Sequence, residues 1–69
     1  GFFTAKQKRL ARNCSVRELE NGYHDSESAL RMASYRGDQK ALKQAMKVHG
    51  NYEYALLYKN TPECNKRRK

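Results

Sequence analysis

The stretch "SYRGDQKALKQAMK", residues 34–47, decides how this chain folds, because it holds the boundary between two amphipathic segments. Gly37 comes where a left-handed residue ends a helix. Asp38 follows, where a carboxylate can cap the next helix and suits the positive end of its dipole. The sequence therefore predicts a turn between two helices. Arg36-Gly37-Asp38 can also be an adhesion signal, but the turn accounts for it without a receptor.

The helix that this turn opens is predicted to run from Gln39 to His49, where Gly50-Asn51 repeats the stop-and-start pattern. Its apolar residues share one side of the helix: Ala41, Leu42, Ala45, Met46 and Val48. The opposite side carries Lys40, Lys43, Gln44 and Lys47. Spacings of three and four residues stack such side chains in rows. We therefore expect the apolar side to face the core and the lysines to face solvent.

The first helix is predicted from a capping box, in which a hydroxyl and a glutamine cap the same helix start. Thr4 and Gln7 have this spacing and open a helix over Ala5–Asn13. Four basic residues fall on that helix: Lys6, Lys8, Arg9 and Arg12. The chain thus has a second basic cluster ahead of the lysines that follow the turn.

A second capping box, formed by Ser15 and Glu18, predicts a helix from Val16 to about Asn21, where Gly22 would stop it. Asp25 or Ser26 then caps a third helix that ends at the Gly37 turn. The side of that helix expected to face the core carries Ala29, Leu30, Met32 and Ala33.

The segment "NYEYALLYKN", residues 51–60, is compatible with two structures. Its large apolar residues alternate as they would in a strand: Tyr52, Tyr54, Leu56 and Tyr58. We favour a helix, because nothing else in the chain offers a partner strand and an unpaired strand is not stable alone. The tyrosines are then expected in the core with their hydroxyls at its rim. Thr61-Pro62 ends the segment.

These elements predict an all-α fold, a small bundle of four to five short helices forming one domain over residues 1–62. Residues 63–69 are expected to be a disordered basic tail, because no hydrophobic residue follows Cys64. A chain of 69 residues suffices for one small domain with a thin core. No apolar run approaches the roughly 18 residues that a membrane-spanning helix requires, and no signal-peptide pattern opens the chain.

The two cysteines, Cys14 and Cys64, are 50 positions apart and form no CxxC motif. If bridged, they would close nearly the whole chain into one loop. We favour two reduced, buried thiols, because Cys14 falls on an apolar stripe with Phe3 and Leu10. Both cysteines and both histidines together have the ligand types of a zinc site, but their spacings match no compact motif. We therefore expect no metal and no cofactor.

Residues 28–50 carry several residues at the spacing that is typical of a known repeat family. Ser28, Leu30, Ala33 and Gly37 fall where the ankyrin repeat has Thr, Leu, Ala and Gly. This segment therefore resembles a single ankyrin repeat, although Ala29 and Arg31 stand where that family has proline and histidine. The resemblance covers 23 of 69 residues, and no second repeat follows. It implies a helical hairpin that docks a partner protein or peptide.

Charge is the main functional signal in the sequence. Fifteen Lys and Arg against seven Asp and Glu leave a formal net charge of +8, which attracts polyanions. The carboxylates are scattered, and no glycine-rich loop offers a phosphate cradle, so we expect no enzyme. The candidate nucleic-acid contacts are Lys6, Lys8, Arg9, Arg12, Arg36, Lys40, Lys43, Gln44, Lys47, Lys66, Arg67, Arg68 and Lys69.

The sequence thus favours a small nucleic-acid-binding domain, with DNA ahead of RNA and with contacts mainly to the phosphate backbone. Gln39, Gln44 and Arg36 are the residues available for base edges. An intracellular location, nuclear or nucleoid-associated, would suit that function. The alternative is a protein-interaction module in which the helical hairpin docks an acidic partner or peptide.

Overall fold

A computed structural model describes the backbone of residues 3–67 and the side chains of residues 3–64. Four helices follow in order: α1 (Ala5–Asn13), α2 (Val16–Arg36), α3 (Gln39–Lys59) and α4 (Pro62–Arg67). Within the described part of the chain there is no strand, so the all-α prediction is confirmed. Residues 51–60 are helical up to Lys59, which settles the choice between helix and strand for that segment.

The turn between α2 and α3 is the one that the sequence predicts. Gly37 has a φ of 69°, in the left-handed region, and its N–H bonds to carbonyls at the end of α2. The Ala41 N–H donates to Oδ1 of Asp38 at 3.1 Å, so Asp38 caps α3. Both capping boxes ahead of α1 and α2 are also present. Local sequence signals therefore set the beginnings of α1, α2 and α3.

Two predicted helix ends are wrong, and as a result α2 and α3 are 21 residues each. The helix predicted to stop at Asn21 continues to Arg36, and the one predicted to stop at His49 continues to Lys59. The ring of Tyr52 lies directly against the backbone of Gly22. This glycine therefore allows close helix packing and does not end a helix. Residues 3–67 thus form two long helices and two shorter ones.

The helix cap predicted at Asp25 or Ser26 is also wrong, because both residues lie inside α2. Ser26 is buried, and its hydroxyl donates to the carbonyl of Tyr23 at 2.8 Å. A serine bonded in this way satisfies its polar group within the helix. Asp25 and Ser26 therefore have the sequence pattern of a helix cap but lie in the interior of a continuous helix.

The core lies where α1, α4 and the N-terminal part of α2 pack against the C-terminal half of α3. It is formed by Ala11, Leu19, Ala55, Tyr58 and Cys64. Partly buried apolar residues pack around it: Phe3, Leu10, Cys14, Tyr52 and Leu56. Leu19 and Tyr58 are its largest fully buried side chains. Tyr58 lies in the core as expected, whereas Tyr54 is exposed.

Among the residues that the structure describes, no third helix covers the other half of the α2–α3 hairpin. Two alanines, Ala33 and Ala45, are buried there. Three residues expected in the core are exposed instead: Met32, Met46 and Val48. Ala29 and Ala41 are exposed as well. Two helices cover only a narrow strip of each other, so a broad apolar face is left partly in solvent.

The cysteines are free thiols; Cys64 is buried, but Cys14 is only half-buried, so its predicted full burial is wrong.

The first part of the predicted tail is helical, because α4 spans Pro62–Arg67. Residues 68 and 69 lie outside the part of the chain that the structure describes, as do the side chains of residues 65–67. The Cα atoms extend over 44 × 24 × 14 Å, so the domain is an elongated slab.

Candidate anion-binding surface on the third helix

One stripe along α3 connects the core to a basic surface. Its positions are three or four residues apart and therefore share one face of the helix: Lys40, Lys43, Lys47, Asn51, Tyr54 and Tyr58. The first three carry ammonium groups, and the last three are amide or aromatic. We call Lys40, Lys43 and Lys47 the lysine row.

Helix α1 covers the C-terminal half of this stripe. Nε2 of Gln7 donates to Oδ1 of Asn51 at 3.2 Å. The ring of Phe3 lies 6.3 Å from that of Tyr54 and 5.2 Å from that of Tyr58. Asn51 is one turn beyond Lys47, so the cover that α1 provides begins about one turn after the lysine row ends.

The lysine row itself is exposed. All three lysines are solvent-accessible, and none has an ion-pair partner among the described residues. Together with Gln44 and Met46 they line an open groove of about 560 Å³. About 10.5 Å of helix axis separates Lys40 from Lys47. The three ammonium groups therefore form one continuous positive edge about two helical turns long.

The position of the row within α3 makes its field stronger. The first turn of α3 contains no acidic residue, although Asp38 caps the helix. Helix N-termini carry a partial positive charge, so Lys40 adds a like charge beside it. Lysines three or four residues apart also repel one another. This arrangement is unfavourable for an isolated helix and favourable for holding an anion.

Two basic residues of α1, half-buried Lys8 and exposed Arg12, contact polar groups at the edge of the core. Nη2 of Arg12 donates to the hydroxyl of Tyr58 at 3.1 Å, and that hydroxyl donates to Glu63 at 3.0 Å. Nζ of Lys8 lies 3.5 Å from Glu63 and 5.8 Å from the centre of the Tyr58 ring. Lys8 and Arg12 thereby join α1, α3 and α4.

The remaining predicted contacts divide into two groups. Lys6 and Arg9 are exposed on α1, and Arg36 is exposed at the end of α2. The four basic residues of the tail were also predicted as contacts, and their side chains lie outside the described residues: Lys66, Arg67, Arg68 and Lys69. Lys6 is next to Gln7, whose amide contacts Asn51, so it lies on the end of α1 nearer the lysine row.

Sequence reasoning missed two parts of these surfaces. Met46 was assigned to the core, but it is exposed and lines the groove beside the lysine row. The helical spacing of Met46 with the other apolar residues of α3 does not predict its exposure. That exposure depends on whether a third helix covers this side, which is a property of the tertiary structure. The polar network at Tyr58 was also missed. Glu63 lies far from Lys8 and Arg12 in sequence, so no local spacing joins them.

The described residues contain no group of three or more His, Cys, Asp or Glu side chains that would hold a metal ion. His24 lies near Glu27, with 3.9 Å between Nδ1 and Oε1. The ring of His49 packs on Tyr23 at 4.3 Å between centroids. Its buried Nε2 has no hydrogen-bond partner within the described region. The ring of His24 also contacts Tyr23, at 5.8 Å between centroids, so both histidines make aromatic contacts with the same tyrosine.

No helix in the described part of the chain has both the length and the apolar character needed to cross a membrane.

The chain matches no protein-family model. Searches of curated proteins and of solved structures likewise found no similar protein. The chemistry of the lysine row is therefore the basis on which a function can be argued.

Proposed function

We propose that this chain is a small basic helical domain that binds nucleic acid, duplex DNA in preference to RNA, mainly through the phosphate backbone. The lysine row on α3 is the centre of the interface. The observation that carries the proposal is the exposure of three adjacent lysines that have no ion-pair partner within the described residues. Such a row favours a ligand with regularly spaced negative charges.

The dimensions of the row suit a polyphosphate backbone. Lys40 and Lys47 are about 10.5 Å apart along the helix axis, and one DNA strand carries a phosphate about every 3.4 Å of duplex axis. The row thus spans about three base-pair steps. Ammonium groups are point charges on flexible stems, which suits phosphate contact better than reading of base edges.

The composition of the surface supports a duplex as the ligand. No aromatic side chain lines the groove at the lysine row, so an unpaired base has nothing there on which to stack. Gln44 is the residue beside the row with both a donor and an acceptor for a base edge. Lys6 and Arg9 supply further positive charge on α1. We expect sequence preference to be slight.

A second function, the docking of an acidic protein or peptide on the hairpin, is favoured by one observation. Met46 is exposed directly beside the lysine row. A mixed apolar and basic surface can hold an acidic amphipathic helix, whose binding would depend on Met46 as well as on charge. Nucleic acid remains the leading proposal, because a single methionine is the apolar part of that groove.

A titration distinguishes the two functions. The chain is mixed with duplex DNA, single-stranded DNA, duplex RNA and an acidic polypeptide at several salt concentrations. We expect duplex DNA to bind most tightly, with a logarithmic affinity that falls by about 0.9 per phosphate contact for each logarithmic unit of salt. Tightest binding of the acidic polypeptide, with a shallow salt dependence, would support the docking function instead.

A further inference from the structure

A second groove lies along the seam between α2 and α3, on a surface that the lysine row does not share. Its volume is about 340 Å³. Its apolar part includes Val16, Tyr23 and Leu57, and its charged part consists of Glu20, Glu53 and Lys59. None of the residues that line the groove at the lysine row lines this one.

The middle of the α2–α3 groove is apolar and open. Val16 is 50% exposed and Leu57 is 51% exposed, although both belong to long, well-formed helices. The domain is a slab whose Cα atoms span 14 Å in its thinnest direction. Domains ordinarily bury such seams beneath a second layer of structure. In this chain the seam has no covering element among the described residues.

The charges of the groove are sorted along its length. The helices are antiparallel, because Gly22 of α2 lies against Tyr52 of α3 and Tyr23 lies against His49. Glu20 and Glu53 therefore lie at one level towards the middle of the hairpin, and the ring of Tyr23 flanks them on that side. Lys59 is six residues beyond Glu53, about 9 Å along the axis, at the opposite end. The groove runs from acidic through apolar to basic.

We propose that this groove is the interface of a homodimer, in which two copies of the chain pack antiparallel about a two-fold axis. In such an interface one surface must complement itself. A two-fold axis through the Val16 and Leu57 region buries the apolar centres against each other. It also places the acidic end of each copy on Lys59 of the other. An acidic-to-basic groove with an apolar middle meets this requirement.

The groove is small, at about 340 Å³, so we expect a weak dimer that forms in the micromolar range or above, as is typical of transient contacts. The net charge of +8 on each copy opposes association. The opposite charges at the two ends of the groove therefore matter for orientation as well as for attraction. This proposal does not rest on nucleic-acid binding, because the lysine row lies outside the groove.

The apolar part of the proposal is tested by sedimentation velocity over a concentration series reaching the millimolar range. The parent chain is expected to shift from monomer to dimer as its concentration rises. Leu57→Lys should abolish that shift, while Met32→Lys should leave it intact. Met32 is a matched control, because it is 53% exposed and lies outside the groove. Circular dichroism checks that both variants remain helical.

The charges at the two ends allow a sharper test that also reports the orientation. Glu53→Lys alone and Lys59→Glu alone should each weaken association, because each brings like charges together in an antiparallel dimer. An equimolar mixture of the two variants should regain most of it, since both contacts between residues 53 and 59 of unlike copies are again of opposite sign, while Glu20 is unchanged in both copies. The double variant should also dimerise. A monomeric parent chain at millimolar concentration, an unaffected Leu57→Lys variant, or a mixture without recovery would each overturn the proposal.

Discussion

The ring of Tyr52 packs against the backbone of Gly22, near the middle of the contact between α2 and α3. A Cβ atom at residue 22 would lie closer to that ring than van der Waals contact allows. Tyr52 is partly buried against the core. A side chain at residue 22 would therefore require the ring to shift from this position.

Substitution of the two glycines within the helices should have opposite effects on stability. Gly22→Ala should lower the free energy of unfolding by about 1–3 kcal/mol, because the added methyl group overpacks the seam. Gly50→Ala should raise it by about 0.5–1 kcal/mol, because a Cβ there has open space around it and alanine favours the helix. Urea unfolding measures both values. Equal effects of the two substitutions would contradict the close packing at Gly22.

Tyr58→Phe should lower the free energy of unfolding by about 1–2 kcal/mol, because the buried hydroxyl joins Arg12 of α1 to Glu63 of α4. Tyr35→Phe is the matched control, since Tyr35 is 87% exposed. Chemical denaturation compares the two variants. A Tyr58→Phe variant as stable as Tyr35→Phe would show that the hydroxyl network does not join the helices.

The two thiols should differ in reactivity in the native state. Cys14 is half-buried and should react with a thiol reagent first, whereas Cys64 is buried in the core and should be protected until the domain opens. Mass spectrometry after timed labelling measures both rates. Intact mass should show two reduced thiols in protein purified under thiol protection. Recovery of an intramolecular disulfide from such protein would contradict the free thiols of the structure.

Lys40→Glu should stabilise the domain and weaken its binding of anions. The first turn of α3 lacks an acidic residue, and a carboxylate there gains about 0.3–1 kcal/mol from the helix dipole. Gln39→Glu, in the same turn but outside the lysine row, should give a similar gain in stability. Thermal unfolding and DNA titration test this prediction. A loss of stability in Lys40→Glu would mean that Lys40 makes a structural contact.

Local signals in the sequence predict the helix starts well. Thr4, Ser15 and Asp38 cap the helices that they are expected to cap, because each cap is a contact within three residues. Gly22 and Gly50 mislead, because a glycine favours a helix end only where packing does not hold the helix together. Apolar packing between α2 and α3 continues past both positions and outweighs the cost of glycine.

The candidate site was predictable in part for a similar reason. Spacing alone places the lysine row on one side of α3, and the row is exposed as expected. The sequence does not reveal which basic residues are used in packing, since Lys8 and Arg12 meet Tyr58 and Glu63 only after the chain has folded. It also does not reveal that Met46 lies beyond the reach of α1, because the length and placement of a covering helix are tertiary features.

The lysine row as an anion-binding surface is tested most directly by the salt dependence of duplex-DNA binding in two variants of equal charge. One carries Lys43→Gln and Lys47→Gln, and the other carries Arg17→Gln and Arg31→Gln on exposed positions of α2. The lysine variant should lower the slope of log affinity against log salt by about 1.8, or about 0.9 for each lost phosphate contact. The arginine variant should change that slope much less. Equal slopes for the two variants, or a parent chain that does not bind duplex DNA at low salt, would contradict the account.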